Sequence, residues 1–218
     1  MGRLGAVVRA GEDTTRLLVL LPGYGDRAGR FAERIDRFDP QRRWTVVVLE
    51  GLLGNDMGPY WYDVDGGGPV TAELDAAVSA VRHELAALAV DHGIEQDDIV
   101  LAGFSQGGAL ALAVLCDPGA GPPPAAVAVL AGYLPSRPDG TIDLERAAGR
   151  PVLVTHGADD EMVEAIRGRS AAKALQRAGA RVAWFPAEGG HRFDGPLLDG
   201  LRDWLDALDR DEPLVAPI

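Results

Sequence analysis

The chain has 218 residues, of which 47% are hydrophobic, with 21 basic and 33 acidic residues and a formal net charge of −12. This length and hydrophobic content allow one large buried core, so we expect a single domain over residues 1–218 that ends in an irregular tail from 209 to 218. The acidic balance, without a basic run that could neutralise a phosphate backbone, excludes nucleic acid as an expected partner.

Strand-like and helix-like segments alternate along the chain. The strand patterns cover residues 5–9, 16–21, 44–49, 98–102, 125–131, 151–155 and 181–185, and the helical patterns cover 27–37, 71–92, 106–116, 163–178 and 196–208. This alternation predicts an α/β fold with a mostly parallel central sheet flanked by helices on both faces. Only the residues from Gly11 to Thr15 connect the first two strands, so we expect them to form an antiparallel hairpin at one edge of the sheet.

Two segments fall outside this alternation. Residues 51–70 contain six glycines together with Trp61 and Asp63, which predicts a long loop. Loops of this length inside compact domains are usually functional. Residues 117–124 are rich in proline and glycine and predict an exposed connection.

Ser105 is the candidate nucleophile. Of the four serines, only Ser105 has a glycine two residues away on either side, in the segment Gly103-Phe104-Ser105-Gln106-Gly107. A buried strand precedes it and an apolar helix follows it, so the serine falls on a sharp strand-to-helix turn. Glycines on both sides let the two elements pack closely around a strained residue. This setting is typical of an activated serine.

His191 is the candidate general base, because a serine hydroxyl needs a base within hydrogen-bond reach. It lies in a loop between a strand and the final helix, at the sheet edge where open α/β sheets bind their ligands. His83 lies within the long helix, and His92 lies at its C-terminus as a favourable charge. His156 directly follows a buried strand, where we expect a structural hydrogen-bonding residue.

The carboxylate that orients the base is expected in the turn after residues 151–155. Asp159 and Asp160 both lie there, and the residues alone leave the choice open; the other one would cap the next helix. The chain order of nucleophile, acid and base is that of α/β-hydrolases. Backbone N–H donors for an oxyanion are expected at Gln106, which begins a helix, and in the turn after the strand at 16–21.

No segment of the sequence predicts membrane insertion or export. There is no run of about 18 uninterrupted apolar residues, and the N-terminus lacks a basic segment followed by an apolar run. Cys116 is the single cysteine, which excludes a disulfide within the chain and predicts a buried structural thiol. We therefore expect a cytoplasmic protein without stable membrane insertion.

With these residues in place, the chain resembles the carboxylesterase, phospholipase and acyl-protein thioesterase family of α/β-hydrolases. The resemblance runs over most of residues 16–208, and it is closest from Ile99 to Leu110, around the nucleophile. It implies the α/β-hydrolase fold. It also implies Asp160 as the acid, because Asp160 stands three residues after Gly157.

The resemblance further implies that His191 is the base and that the backbone amides of Tyr24 and Gln106 form the oxyanion hole. Trp61-Tyr62-Asp63 is similar to a Trp-Phe-Asp element of the family, which implies a substrate-side role for the long loop. Two positions depart from the family pattern. Pro22 stands where the family has histidine, so the bonds that anchor this turn must differ, and Glu161 stands where the family has proline.

The loop positions predict an apolar acyl pocket that suits short or medium acyl chains. Its expected lining residues are Gly23, Met57, Tyr60, Trp61, Tyr62, Met162 and Phe193.

Together these residues predict a serine hydrolase that cleaves carboxylic esters or thioesters through an acyl-enzyme, without a metal or cofactor. The expected partner is a small-molecule ester or acyl substrate, and the sequence leaves a homodimer open. Lysophospholipase or acyl-protein thioesterase activity by the same triad is the enzymatic alternative. A catalytically silent ligand-binding homologue is the alternative from another class.

Overall fold

The computed structural model of the protein describes residues 2–12, 15–65, 68–119, 121–136 and 142–210. Its strands are β1 (Ala6–Arg9), β2 (Leu17–Leu21), β3 (Thr45–Leu49), β4 (Leu53–Asn55), β5 (Gly58–Tyr60), β6 (Val64–Asp65), β7 (Gly68–Pro69), β8 (Val100–Phe104), β9 (Ala126–Leu130), β10 (Pro151–Gly157) and β11 (Arg181–Ala187). Its α-helices are α1 (Ala28–Ala32), α2 (Ile35–Phe38), α3 (Thr71–His92), α4 (Gln106–Leu115), α5 (Ala165–Arg177) and α6 (Gly195–Asp209).

Seven of these strands form the central sheet in the order β1-β3-β2-β8-β9-β10-β11. All neighbouring strands are parallel except β1, which runs antiparallel to β3. A parallel sheet is covered by helices on both faces, so its strands are apolar throughout. In β2, for example, all five side chains of the Leu-Leu-Val-Leu-Leu segment are buried. The predicted α/β architecture is confirmed.

The pairing of the N-terminal strand corrects one prediction. The antiparallel edge strand is present, but it pairs with β3 instead of forming a hairpin with β2, and Val8 faces Val47. The Gly11 N–H, after β1, donates to Thr45 Oγ1 at the start of β3 at 3.1 Å. Adjacent strands lie about 4.8 Å apart, so even a short connection spans the one strand that separates β1 from β2.

Successive residues of each strand contribute to two separate cores. Leu17, Val19 and Leu21 point to the core that α3, α4 and α5 cover. Leu18 and Leu20 point to the opposite core, which contains the buried side chains of α1, α2 and α6. Side chains alternate between the faces of a strand, so one apolar run fills both cores.

Several helix and loop boundaries differ from those predicted. The helix expected at 27–37 is divided into α1 and α2 by a tight turn in which the Arg34 N–H donates to the Phe31 carbonyl oxygen at 3.2 Å. The helix expected at 163–178 begins at Ala165, and the Val163 N–H before it is bound by the Asp160 carboxylate. The long loop at 51–70 contains two short hairpins, β4–β5 and β6–β7.

Cys116 is buried at the end of α4, and burial raises the pKa of its thiol to about 12. Helix α6 extends to Asp209, and the expected tail lies outside the described residues from position 211 onward. No helix in the described part of the chain is both long and apolar enough to span a bilayer.

The parallel strands bring four connections to one edge of the sheet. The turns after β2 and β8 carry Tyr24 and Ser105, and the loops after β10 and β11 carry Asp160 and His191. Parallel neighbours end at the same edge, so these residues converge although they are far apart in sequence.

Candidate active site

Ser105 occupies a strained turn whose glycines are required by close packing. Its backbone has φ 54° and ψ −117°, a region that non-glycine residues rarely adopt and that costs about 1–3 kcal/mol. A Cβ on Gly107 would lie 2.1 Å from the Leu21 carbonyl oxygen, and one on Gly103 would lie 2.2 Å from the Gly107 carbonyl oxygen. The glycines therefore let α4 begin directly against the ends of β2 and β8.

Ser105, His191 and Asp160 form a continuous chain of hydrogen bonds. The Ser105 Oγ lies 2.8 Å from His191 Nε2, and His191 Nδ1 lies 2.7 Å from Asp160 Oδ2. An ionised carboxylate only accepts, so Nδ1 carries the proton and Nε2 is left to accept from the serine hydroxyl. The histidine side chain is 11% exposed, and the aspartate side chain is fully buried. This geometry suits proton transfer from the serine.

The two neighbouring aspartates, Asp159 and Asp160, have different surroundings in the structure. Asp160 is buried, and its Oδ1 accepts the N–H groups of Met162 and Val163 at 3.0 and 2.8 Å. Asp159 is exposed, and its backbone N–H donates to the Gly189 carbonyl oxygen at 2.9 Å. The expectation that the aspartate outside the triad caps the next segment was wrong. Asp160 itself binds both N–H groups, which fixes its carboxylate toward His191.

His156 lies behind Asp160 and is fully buried. Its Nε2 lies 2.6 Å from the Val163 carbonyl oxygen and 3.3 Å from Asp160 Oδ2, which confirms the expected structural hydrogen bond. Burial lowers the pKa of its imidazole, and its Nδ1 has no hydrogen-bond partner among the described residues. The ring packs so closely on α5 that a Cβ on Gly168 would lie 2.4 Å from Nδ1.

The two backbone amides expected to bind an oxyanion belong to segments beside Ser105. Gln106 is the first residue of α4, so its N–H has no acceptor within the helix. Tyr24 follows Gly23, and a Cβ on Gly23 would lie 3.3 Å from the Ser105 Cβ. The turn after β2 thus lies against Ser105, next to the start of α4.

The long loop at 51–70 anchors the turn after β2, in which Pro22 stands instead of the family's histidine. The Trp61 indole N–H donates to the Pro22 carbonyl oxygen at 2.9 Å, and the Gly25 N–H donates to the Pro59 carbonyl oxygen at 2.8 Å. The Gln106 side chain also binds the loop, because its Oε1 accepts from the Trp61 N–H at 2.9 Å. These bonds were not predicted, since they depend on how the loop folds back over the sheet.

The residues expected to line an acyl pocket divide into two groups. Met57 and Met162 are 75% and 77% exposed, at the outside of the site. Trp61, Tyr62 and Phe193 belong instead to the cores, so the structure does not place their side chains on an open cleft. Gly23 and Tyr60 are also buried; Gly23 lies against Ser105, and the Tyr60 ring stacks on Tyr24 with centroids 4.8 Å apart.

Asp26 is a half-buried carboxylate that the sequence did not single out. It lies in the turn after β2, and burial raises its pKa, an effect opposed by the charges of Arg34, Arg30 and His191. The sequence could have indicated Asp26, because it lies directly after Gly25 in the turn after β2. The described residues contain no group of three or more His, Cys, Asp or Glu side chains arranged to hold a metal ion.

The seven-stranded sheet, the strained serine turn and the three hydrogen-bonded side chains define an α/β-hydrolase. The chain belongs to the phospholipase/carboxylesterase family, whose model matches residues 4–208. This is a family of hydrolases that act on esters.

Curated relatives and solved structures agree with this family. A probable carboxylesterase, SOBER1-like, from Arabidopsis thaliana is 33% identical over 67% of the chain, and the match spans 58% of that protein. Acyl-protein thioesterase 1 from Gibberella zeae is 27% identical over 94% of the chain and 95% of its own length. The fold resembles the Bacillus cereus carboxylesterase with a TM-score of 0.81 at 20% identity, covering 93% of each chain.

Proposed function

We propose that the protein is a serine esterase that hydrolyses carboxylic esters with short to medium acyl chains through an acyl-enzyme on Ser105. The observation that carries this proposal is the unbroken hydrogen-bond chain from the Ser105 hydroxyl through His191 to Asp160. An isolated serine hydroxyl is a poor nucleophile, and this arrangement supplies both a base and the carboxylate that stabilises its charge.

In the proposed reaction, His191 Nε2 takes the Ser105 proton while Oγ attacks the ester carbonyl carbon. The oxyanion is stabilised by the backbone N–H groups of Tyr24 and Gln106, and the positive end of the α4 dipole adds to this stabilisation. His191 then gives its proton to the leaving alcohol. Water hydrolyses the acyl-enzyme by the same steps, with His191 again as base, and no metal or cofactor takes part.

A short or medium acyl chain is supported by how the loop residues pack. The large side chains of Trp61 and Tyr62 fill the core beneath the site, so they leave little space there for a long chain. The exposed Met57 and Met162 offer apolar contacts at the outside. We further propose that the substrate is a small molecule and that the enzyme acts in the cytoplasm.

Thioester hydrolysis is the second candidate, because a relative that matches nearly the full chain is named an acyl-protein thioesterase. The reacting groups would be the same, since thioesters also form acyl-enzymes with serine. Lysophospholipid hydrolysis is the corresponding candidate from the family's description.

The test is a substrate panel on the purified protein. p-Nitrophenyl esters from acetate to octanoate would be compared with a palmitoyl-peptide thioester and a lysophospholipid, using Ser105→Ala as the control. We expect the highest kcat/KM for an ester of short or medium chain length, and no turnover by the variant. A higher kcat/KM for the thioester or the lysophospholipid would replace the proposed substrate. No turnover of any substrate by folded protein would favour the silent binding protein.

A further inference from the structure

A cleft of about 400 Å³ lies between the chain that follows β9 and the first turns of α5. Its walls combine apolar side chains with one guanidinium. The lining residues are Tyr133, Leu134, Ile166, Arg167, Ser170, Ala171 and Ala174. The proposed reaction uses none of these residues.

The cleft is close to the candidate nucleophile. The Ser105 N–H donates to the Leu130 carbonyl oxygen at 2.9 Å, and Tyr133 follows Leu130 by three residues. Three residues span at most about 11 Å, so Tyr133 is within the reach of a bound acyl chain. The Tyr133 hydroxyl also lies 3.4 Å from that of Tyr62, whose carbonyl oxygen accepts from the Gln106 side chain at 2.6 Å.

Arg167 gives this cleft a positive charge, and no carboxylate of the described residues neutralises it. Its guanidinium lies over the Tyr133 ring, 4.1 Å from the centroid. Among the described residues, no carboxylate lies within ion-pair distance of it. The residue is exposed in the first turn of α5, where the helix dipole disfavours a cation.

The proton path indicates which part of an ester would enter the cleft. His191 must protonate the leaving alcohol, so the alcohol lies beside the loop at 188–194. No residue of that loop lines the cleft, which is formed by the chain after β9 and by α5. With the leaving alcohol beside that loop, the acyl part is the part of the ester left to reach the cleft.

We propose that this cleft binds the acyl part of the substrate and that Arg167 pairs with a carboxylate at its far end. The preferred substrates would then be monoesters of dicarboxylic acids, which are cleaved to the free dicarboxylate and an alcohol. Leu134 and Ile166 would contact the methylene groups of the acyl chain. Tyr133 would hold the guanidinium in place, since a planar cation stacks well on an aromatic ring. This inference rests on the proposed esterase function.

The experiment compares three ethyl esters with equal acyl chain length: monoethyl adipate, ethyl hexanoate and ethyl 6-aminohexanoate. Their far ends are anionic, neutral and cationic, so the ratios of kcat/KM isolate the contribution of charge. We expect the wild type to prefer the adipate monoester. In Arg167→Gln this preference over the hexanoate ester should fall on the order of tenfold, the effect of losing one charge-assisted hydrogen bond. Arg167→Lys should keep part of it.

Arg169→Gln is the matched control, because Arg169 is exposed on the same helix and does not line the cleft. This variant should retain the wild-type ratios, and thermal unfolding of all variants checks that they fold. Equal ratios in the wild type and Arg167→Gln would overturn the inference while leaving the esterase function intact. If the wild type hydrolyses none of the three esters and Ser105 does not react with a fluorophosphonate, the esterase function itself fails, and this inference fails with it.

Discussion

The turn at Ser105 and the outer loops of the candidate site are constrained very differently. In the turn, backbone atoms pack so closely that a Cβ on Gly107 would lie 2.1 Å from the Leu21 carbonyl oxygen. At the outside, the Met57 and Met162 side chains are 75% and 77% exposed. The comparison indicates that backbone packing fixes the reacting geometry. The side chains that would contact the rest of a substrate are free to vary.

The strongest test of the constrained part removes its reacting side chains. Ser105→Ala and His191→Ala should each lower kcat by at least about 10³-fold, because the two residues act as a unit. The double variant should be little worse than either single variant. Steady-state kinetics on a p-nitrophenyl ester measures this.

Ser79→Ala is the control for this test, since Ser79 is exposed on α3, and its kcat should equal that of the wild type. Near-normal turnover by His191→Ala would show that another group is the base.

The packing of the turn can be tested by adding one methyl group. Gly107→Ala should lower the free energy of unfolding by about 3 kcal/mol or more and abolish most activity, because the Cβ would overlap with backbone that cannot move independently. Urea unfolding and kcat would be measured together.

Gly29→Ala is the matched control, because no atom lies within 4 Å of a Cβ at this position in α1. It should stabilise the protein by up to about 1 kcal/mol through the helix propensity of alanine. A Gly107→Ala variant as stable and active as the wild type would remove the packing argument.

A smaller effect is expected where the loop anchors the turn after β2, which carries Tyr24. Trp61→Phe removes the indole N–H that binds the Pro22 carbonyl oxygen and leaves this acceptor unpaired. We expect a loss of about 1–3 kcal/mol in stability and a fall in kcat larger than any change in KM.

Trp204→Phe provides the control, since the buried Trp204 indole N–H has no hydrogen-bond partner among the described residues. It should leave kcat unchanged. If both tryptophan variants have the same kcat, the loop does not position the turn.

The smallest effect concerns the pH dependence of stability. Burial lowers the His156 pKa in the folded state, so below the ordinary value of about 6.5 the unfolded chain binds a proton that the folded chain does not. Its contribution to stability is therefore full above this pH and is lost as the pH falls through it. His156→Gln should flatten the stability curve between about pH 5 and 7.

Urea unfolding at several pH values would measure this slope. The exposed His83 supplies the control, and His83→Gln should keep the wild-type slope. An unchanged slope in His156→Gln would show that this histidine is not held neutral by burial.

The sequence predicted which side chains meet at the candidate site better than it predicted their surroundings. Ser105 could be identified because a strained strand-to-helix turn needs glycines at fixed positions, and His191 because it follows a strand that ends at the same edge. Both predictions depend on the local chain and on the parallel sheet, and the structure brings the two side chains within 2.8 Å. Choosing Asp160 over Asp159 required the family resemblance, because both lie in one turn.

Features that depend on distant contacts could not be predicted in this way. The connection from Gly11 to Thr15 allowed a hairpin, and nothing local indicated that β3 would lie between β1 and β2. Trp61 was expected on the substrate side because it lies in a loop, but the loop folds back and buries it. That Arg167 has no carboxylate partner among the described residues could be known only from the structure.

The most direct test of the central claim is covalent labelling of Ser105 by a fluorophosphonate, followed by mass spectrometry of the intact protein. An activated serine reacts with such a reagent only when its base and oxyanion site are in place. We predict one label per wild-type chain, none on folded Ser105→Ala, and strongly slowed labelling of His191→Ala. A folded wild-type protein that takes up no label, or a Ser105→Ala variant labelled as fast as the wild type, would contradict the proposed acyl-enzyme chemistry.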